Sequence, residues 1–400
     1  MSELKFIEFD NFDIPPGIFT SYMEIMQEVE GYDSNWYDIA KDLLLQNCIF
    51  FRFQYFVDIE SKITSTPWID LSNIDKAKKV VIDLNQEGYS FDDAPIIKNL
   101  HYNCLQQNFP SNNLYYITGN LLDFELYEKW CEKNNFMKAS ERINVIPVCA
   151  WDTERYLINK SDEKDYIERR LNKIQYADKY FIYLSRRVRD YRTLLTYSLL
   201  ENQLDNKAIL SHDKITNREF ETLNDMLKNN NRPEFIFKYM SRFPIVADHP
   251  NFEINWAFHI SENIHLRAFF SVVGETYQED WNKTSMFFSE KTFRPMLLGQ
   301  PFFIWGQHEC HKWLHDKLGY KPYSHFDYSF DDIENNVDRC FEIVKQLESI
   351  TNLLKGMTKN QRIDWTLQDM DAVYYNRNRL QYNKFSYNNF KSMFDEIVLL

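Results

Sequence analysis

Short apolar runs broken by polar turns recur along the chain, and their spacing predicts alternating strands and helices. Val80 to Leu84 (Val-Val-Ile-Asp-Leu) reads as a buried strand running into the polar loop Asn85-Gln86-Glu87-Gly88. Leu114 to Ile117 is a second strand, closed by Thr118-Gly119-Asn120. Leu121 to Asn134 is a helix, and Ile143 to Val148 is a third strand. The first 70 residues are rich in aromatics and are not assigned. The charged stretch Asn159 to Gln175 reads equally as helix or linker.

Near residue 176 the pattern restarts. Tyr180 to Leu184 is a strand, Ser185-Arg186-Arg187-Val188-Arg189 a basic turn, and Tyr191, Leu194, Leu195 and Leu199 share one helical face. Lys207 to Leu210 returns as a strand. His265 to Val273 is another apolar run, closing at Gly274-Glu275-Thr276. Ser289 to Leu298 is a helix, Pro301 to Trp305 a strand, His308 to Leu318 a helix, and helices fill Asp331 to the end. Strands alternating with helices argue for parallel sheets with covered faces, and 400 residues suit two domains. The expected fold class is therefore α/β, with two Rossmann-like lobes facing a central cleft and C-terminal helices. The expected boundaries are 1–175 and 176–400. In open parallel sheets ligands bind at the carboxyl ends of the strands, so the loops there are where chemistry belongs.

The formal charge of −13 excludes a broad electrostatic grip on nucleic acid or an anionic membrane, although a local basic cleft can still take phosphate. Nine glycines in 400 residues is sparse, and neither G-x-G-x-x-G nor G-x-x-x-x-G-K-[ST] occurs. A phosphate site here must use arginine, lysine and helix N-termini instead of a glycine cradle. The six cysteines form no C-x-x-C pair and are expected as reduced core residues. No basic-then-apolar leader begins the sequence, and no apolar run approaches the roughly 20 residues of a membrane helix. A cytoplasmic location without a membrane span is the expectation, and the sequons at Asn159 and Asn282 are expected to be accidental.

Three strand-end loops carry candidate chemistry. In Arg186-Arg187-Val188-Arg189-Asp190-Tyr191-Arg192, four arginines meet a strand-to-helix turn, where planar forks and the helix N-terminus suit a diphosphate; the bland alternative is a solvated, salt-bridged turn. Glu275 ends an apolar strand, where a carboxylate suits sugar or ribose hydroxyls; an exposed loop acid is the bland alternative. In Phe288-Ser289-Glu290-Lys291-Thr292-Phe293-Arg294-Pro295, Ser289 or Thr292 can cap the helix, Pro295 favours a start near Thr292, and Lys291 and Arg294 lie at its positive end. His308, His311 and His315 have metal-like spacing beside Cys310, but read better as a structural helix start. Asp369-Met370-Asp371 is a lone D-x-D that reads as a solvated helix face. No metal site is assigned.

The segment from Phe269 to Gly306 resembles the donor half of inverting GT-B glycosyltransferases of the α-1,3-fucosyltransferase type. The matching pieces are Glu275, Ser289-Glu290-Lys291 and Gly299-Gln300-Pro301. It is more similar still to glycosyltransferases of large tailed phages. In those, Leu-Asn-Arg-Arg-x-Arg-x-x-Arg precedes Thr-Glu-Lys-Thr-x-Lys-Pro; here Ser185 stands for the Asn, Ser289 for the first Thr and Arg294 for the second Lys. The likeness spans roughly residues 176 to 330. It implies a GT-B fold, with 1–175 as acceptor-side lobe and 176–400 as donor lobe. It also implies inverting transfer from a UDP- or GDP-sugar, with no further cofactor. By it the donor-binding residues are Arg187, Arg189, Arg192, Glu275, Glu290, Lys291 and Arg294, with Arg192, Lys291 and Arg189 implied on the diphosphate and Glu275 and Glu290 on ribose or sugar.

The acceptor is a hydroxyl, on hydroxymethylated pyrimidine in phage DNA or on a glycan. The rival class is a non-catalytic nucleotide-sugar or glycan-binding protein, marked by loss of a usable base. Glu87 is the first candidate for that base and Asp83 the second, because the loop after Val80 to Leu84 should face the cleft; the bland reading of Glu87 is an exposed turn. Glu87→Gln is expected to slow turnover by about 10²–10⁴-fold with donor affinity near normal. Steady-state kinetics beside donor calorimetry checks this, and a wild-type rate would place the base elsewhere.

Overall fold

A computed structural model of the chain describes residues 6–8, 27, 36–53, 69–84, 88, 91–92, 95–149, 166–185, 188–233, 237–246, 262–276, 284–380 and 384–398. The chain forms two compact units. The first is made of residues 1–150, 283–287 and 382–400, the second of 151–282 and 288–381. This division differs from the expected boundary after residue 175. The stretch leading to the restart packs with the second unit, and the last helix packs with the first.

The first unit is built on strands β1 (Phe6–Glu8), β2 (Cys48–Phe53), β3 (Lys79–Leu84), β4 (Leu114–Thr118) and β5 (Asn144–Pro147), which lie in chain order. Only β1 runs antiparallel to its neighbour. Val80, Val81 and Ile82 are fully buried, which is why β3 reads as an unbroken apolar run and not as an alternation. The helices Ile96–Gln106 and Asp123–Lys133 are the crossovers before and after β4. The helix Trp36–Asn47 and strand β2 lie in the stretch left unassigned from sequence, where Cys48-Ile49-Phe50-Phe51 was the available signal.

Two later segments complete this unit. Residues 284–287 are held by Asn120, which is fully buried. Its amide donates to Asp123 (2.7 Å) and the Thr284 carbonyl (2.9 Å), and its oxygen accepts from the Leu122 (3.1 Å) and Met286 (2.8 Å) N–H groups. Gly88 is required here by close approach: a Cβ on it would lie 2.3 Å from that of Phe287. The helix Lys384–Val398 docks through Ser386, which accepts from the Cys149 N–H (2.8 Å), and Asn389, which donates to the Pro147 carbonyl (2.9 Å).

The second unit has strands β6 (Lys179–Leu184), β7 (Ala208–Ser211), β8 (Ala268–Gly274) and β9 (Phe302–Trp305), ordered β7-β6-β8-β9 and all parallel. The α/β class expected from sequence is what the chain adopts. The chain winds from β6 outward to β7, then returns to the other side of β6 for β8. The order therefore reverses between β6 and β8, and it is at the carboxyl ends of such a reversal that open parallel sheets bind ligands. Phe181, Phe270 and Phe303 stack across three adjacent strands, at 5.6 and 6.2 Å between rings. The helices Asn336–Gly356, Lys359–Leu367 and Met370–Arg379 follow. No described helix is long and apolar enough to cross a membrane.

A buried histidine in the first unit sets a pH dependence. His101 lies among Trp130 and Phe136, with rings at 5.1 and 4.3 Å, and its Nδ1 lies 2.5 Å from the Tyr127 hydroxyl. That hydroxyl also accepts from the Ile143 N–H. Burial pushes His101 down to about 4, from a usual value near 6.5. A depressed histidine favours the folded state above pH 6.5 and loses that contribution as pH falls towards 4. Between pH 7 and pH 4 the stability gap between wild type and His101→Phe is expected to move by about 3 kcal/mol in the variant's favour. Urea unfolding across that range checks it.

Candidate functional site

The carboxyl ends of β6, β8 and β9 converge on Glu275, the first residue beyond β8. The side chain is 1% exposed, so the alternative of an exposed loop acid does not apply. Its Oε1 accepts from the Ser289 N–H (3.1 Å) and the Thr292 hydroxyl (2.5 Å), and its Oε2 from the Ser289 hydroxyl (2.6 Å) and the Thr276 N–H (3.0 Å). Its own N–H donates to the Trp305 carbonyl at the end of β9 (2.9 Å). Its carbonyl accepts from Nε and Nη2 of Arg192 (3.1 and 2.8 Å), which reach across from the helix Asp190–Glu201 that follows β6.

These bonds set where the helix Glu290–Leu297 begins. Ser289 is its N-cap, with the hydroxyl accepting from the Lys291 N–H. The helix therefore starts two residues before the expected Thr292, and Pro295 sits sixth in it. Proline lacks the N–H that would bond the Lys291 carbonyl. The grip of Glu275 on Ser289 and Thr292 fixes the first turn in spite of that missing bond.

Cations gather around this frame. The Lys291 ammonium lies 2.8 Å from Glu290 Oε1, 3.2 Å from the Ser289 hydroxyl and 3.3 Å from the Thr276 hydroxyl. Arg294 Nη2 lies 3.9 Å from the same Glu290 oxygen. Arg192 is buried, and Arg189 holds the N-cap position of its helix. Burial lowers Lys291, although Glu290 pulls the other way; burial lowers Arg192 and Arg294 as well. Burial by itself would raise Glu290, but Lys291 and Arg294 outweigh it and hold its carboxyl below the usual range. Among the described residues of this frame, Arg189, Arg192, Lys291 and Arg294 outnumber Glu275 and Glu290 by two charges, in a chain whose total is −13. Partly desolvated cations in excess are suited to an anion carrying two charges.

Of the residues expected from sequence, Arg189, Arg192, Glu275, Glu290, Lys291 and Arg294 lie in this one neighbourhood. Glu87, Arg186 and Arg187 lie outside the described residues. Asp83 is buried in β3 of the first unit. The hydroxyls of Ser289 and Thr292 were not assigned a role at Glu275 from sequence, because nothing local to them points to a carboxylate 14 and 17 residues away.

The histidines and the D-x-D resolve differently. The expected helix His308 to Leu318 is a short one, Cys310–Lys312, running into a π-helical turn, Trp313–Lys317. His311 Nε2 accepts from the Ile304 N–H (2.8 Å), which leaves the proton on Nδ1. His315 Nδ1 faces the Tyr320 carbonyl (2.9 Å) and so carries its proton there. The two rings thus offer one lone pair between them, at His315 Nε2. Among the described residues no three His, Cys, Asp or Glu side chains converge as metal ligands would. Asp369 is buried, correcting its reading as a solvated face. It accepts from the Ser324 N–H (2.9 Å) and pairs with His325 (3.3 Å).

No protein-family model matches the chain, and no curated protein matches it in sequence. Among solved structures a trehalose-6-phosphate synthase is similar at a TM-score of 0.36 and 11% identity, over 99% of this chain and 89% of that one. A likeness of that size establishes neither activity nor site.

Gly274, just before Glu275, keeps the frame in register. A Cβ there would meet the Tyr183 ring at 2.9 Å, and the Tyr183 hydroxyl donates to the Arg192 carbonyl (3.3 Å). Gly274→Ala is expected to destabilise the protein by about 1–3 kcal/mol in urea unfolding. Adding Tyr183→Leu should return part of that loss, so that the pair costs less than the sum of the two.

Proposed function

We propose that the second unit binds the diphosphate of a nucleotide sugar and that the protein is a glycosyltransferase of GT-B type. The surplus of partly buried cations at the reversal between β6 and β8 carries this reading. Lys291, Arg294 and the guanidinium groups of Arg189 and Arg192 supply the positive field. The N-termini of the helices that follow β6 and precede β9 point their N–H groups to the same end of the sheet. Arg187 and its neighbour Arg186 belong to the same turn by sequence. The resemblance of residues 176–330 to phage and fucosyltransferase donor lobes favours the same assignment.

In the transfer, negative charge grows on the leaving diphosphate as the glycosidic bond breaks, and fixed cations stabilise it without having to reorganise. The cations present suffice for this without metal. Glu87 takes the proton of the acceptor hydroxyl, and the sugar carbon inverts. The acceptor is a hydroxyl of hydroxymethylated pyrimidine DNA or of a glycan, and assays with each, using UDP- and GDP-sugars, separate the two.

Calorimetry with UDP and GDP, with and without EDTA, tests the site. Binding that survives EDTA is expected, and binding abolished by EDTA would overturn the metal-free mechanism. Lys291→Ala and Arg192→Ala are each expected to weaken binding by about ten- to a hundredfold, the range for hydrogen bonds to charged groups. Wild-type affinity in both, with folding verified by circular dichroism, would remove these residues from the site.

A further inference from the structure

We infer that Glu275 is a positioning residue that aims the cations, and not a ligand of ribose or sugar. This deepens the diphosphate reading above and rests on it. An ionised carboxylate has about four lone-pair directions. Those of Glu275 meet four protein donors: the Ser289 N–H and hydroxyl, the Thr292 hydroxyl and the Thr276 N–H. Its main-chain N–H and carbonyl are spent on Trp305 and Arg192. With the side chain 1% exposed, no acceptor is left over for a substrate hydroxyl.

What Glu275 does hold is a relay to Lys291. The Ser289 hydroxyl gives its proton to Glu275 Oε2, which turns its lone pairs towards Lys291, and both the Lys291 N–H and ammonium lie against them, at 3.4 and 3.2 Å. The Thr276 hydroxyl, 3.3 Å from the same ammonium, sits on the residue whose N–H Glu275 accepts. The carbonyl of Glu275 meanwhile fixes Arg192. One buried acid therefore helps to place two cations from the first turns of different helices, with Glu290 holding the Lys291 ammonium beside it.

The sign of the effect separates this role from simple charge. Removing a carboxylate from beside an anion site should tighten anion binding if charge alone mattered. Glu275→Gln also turns one acceptor into a donor facing donors, so the relay breaks and binding should weaken. Inorganic pyrophosphate, which has no ribose, is the probe, measured by calorimetry beside UDP and GDP. We expect Glu275→Gln to weaken pyrophosphate and nucleoside diphosphates by the same factor, about tenfold. Ser289→Ala, which leaves the acid in place, should do likewise, and the double variant should be little worse than Glu275→Gln alone. Pyrophosphate binding that is unchanged or tighter while UDP or GDP binding falls would make Glu275 a ribose ligand and overturn the inference. If Glu275→Gln does not fold, Ser289→Ala decides alone, and wild-type pyrophosphate affinity in it sinks the proposal. Wild-type protein that binds neither pyrophosphate nor a nucleoside diphosphate would instead overturn the site reading itself.

Discussion

A buried carboxylate must have its charge matched by donors, and this constraint organises the second unit around Glu275. Leaving an ion unsatisfied in the interior costs far more than a hydrogen bond returns, so the chain has to bring donors to it. Those donors come from the loop after β8 and from the start of the helix Glu290–Leu297, while the main chain of Glu275 ties in β9 and Arg192. The strand order brings these segments within reach. The carboxylate then fixes their positions to within hydrogen-bond tolerance.

The opposite end of β8 shows what a buried charge looks like when it is purely architectural. Arg170 donates to the carbonyls of His265, Ala268 and Phe269 (3.2, 3.0 and 2.7 Å), and Gln300 links His265 and Ser271. Burial pushes Arg170 down to about 9 and His265 to about 4. This network closes on the main chain at the start of β8 and on Gln300, with Arg294 the further cation that acts on His265. The carboxyl end differs in gathering several cations around fewer acids. A lone buried arginine is thus weak evidence of a ligand site, whereas a surplus of cations at the reversal of a parallel sheet is stronger.

Much of the frame was legible in the sequence because it is governed by local rules. Val80-Val81-Ile82 and the Phe269-Phe270 and Val272-Val273 pairs are apolar at consecutive positions, and only a strand covered on both faces buries every one of them. The arginine turn and the Ser289–Arg294 segment stood out as polar interruptions at strand ends. The misplacements have physical causes. Trp36–Asn47 runs directly into β2 at Cys48, so no turn between them marks a boundary in the sequence. Pro295 argued by propensity for a helix starting at Thr292, and a contact from another strand overrode it. Asp369 looked solvated because its partners, Ser324 and His325, lie more than 40 residues away.

The sequence by itself determined the alternation of strands and helices, the absence of a glycine cradle, and the gathering of arginine and lysine at strand ends. Each follows from residue type and near-neighbour spacing, which the chain carries wherever it goes. Tertiary structure alone decided that β6 lies between β7 and β8, that the last helix belongs with the first unit, and that Glu275 turns inward to hold Ser289 and Thr292. Those outcomes depend on which distant segments meet when apolar faces are buried together. The partners of a buried polar group are set by that meeting and leave no periodic trace in the chain.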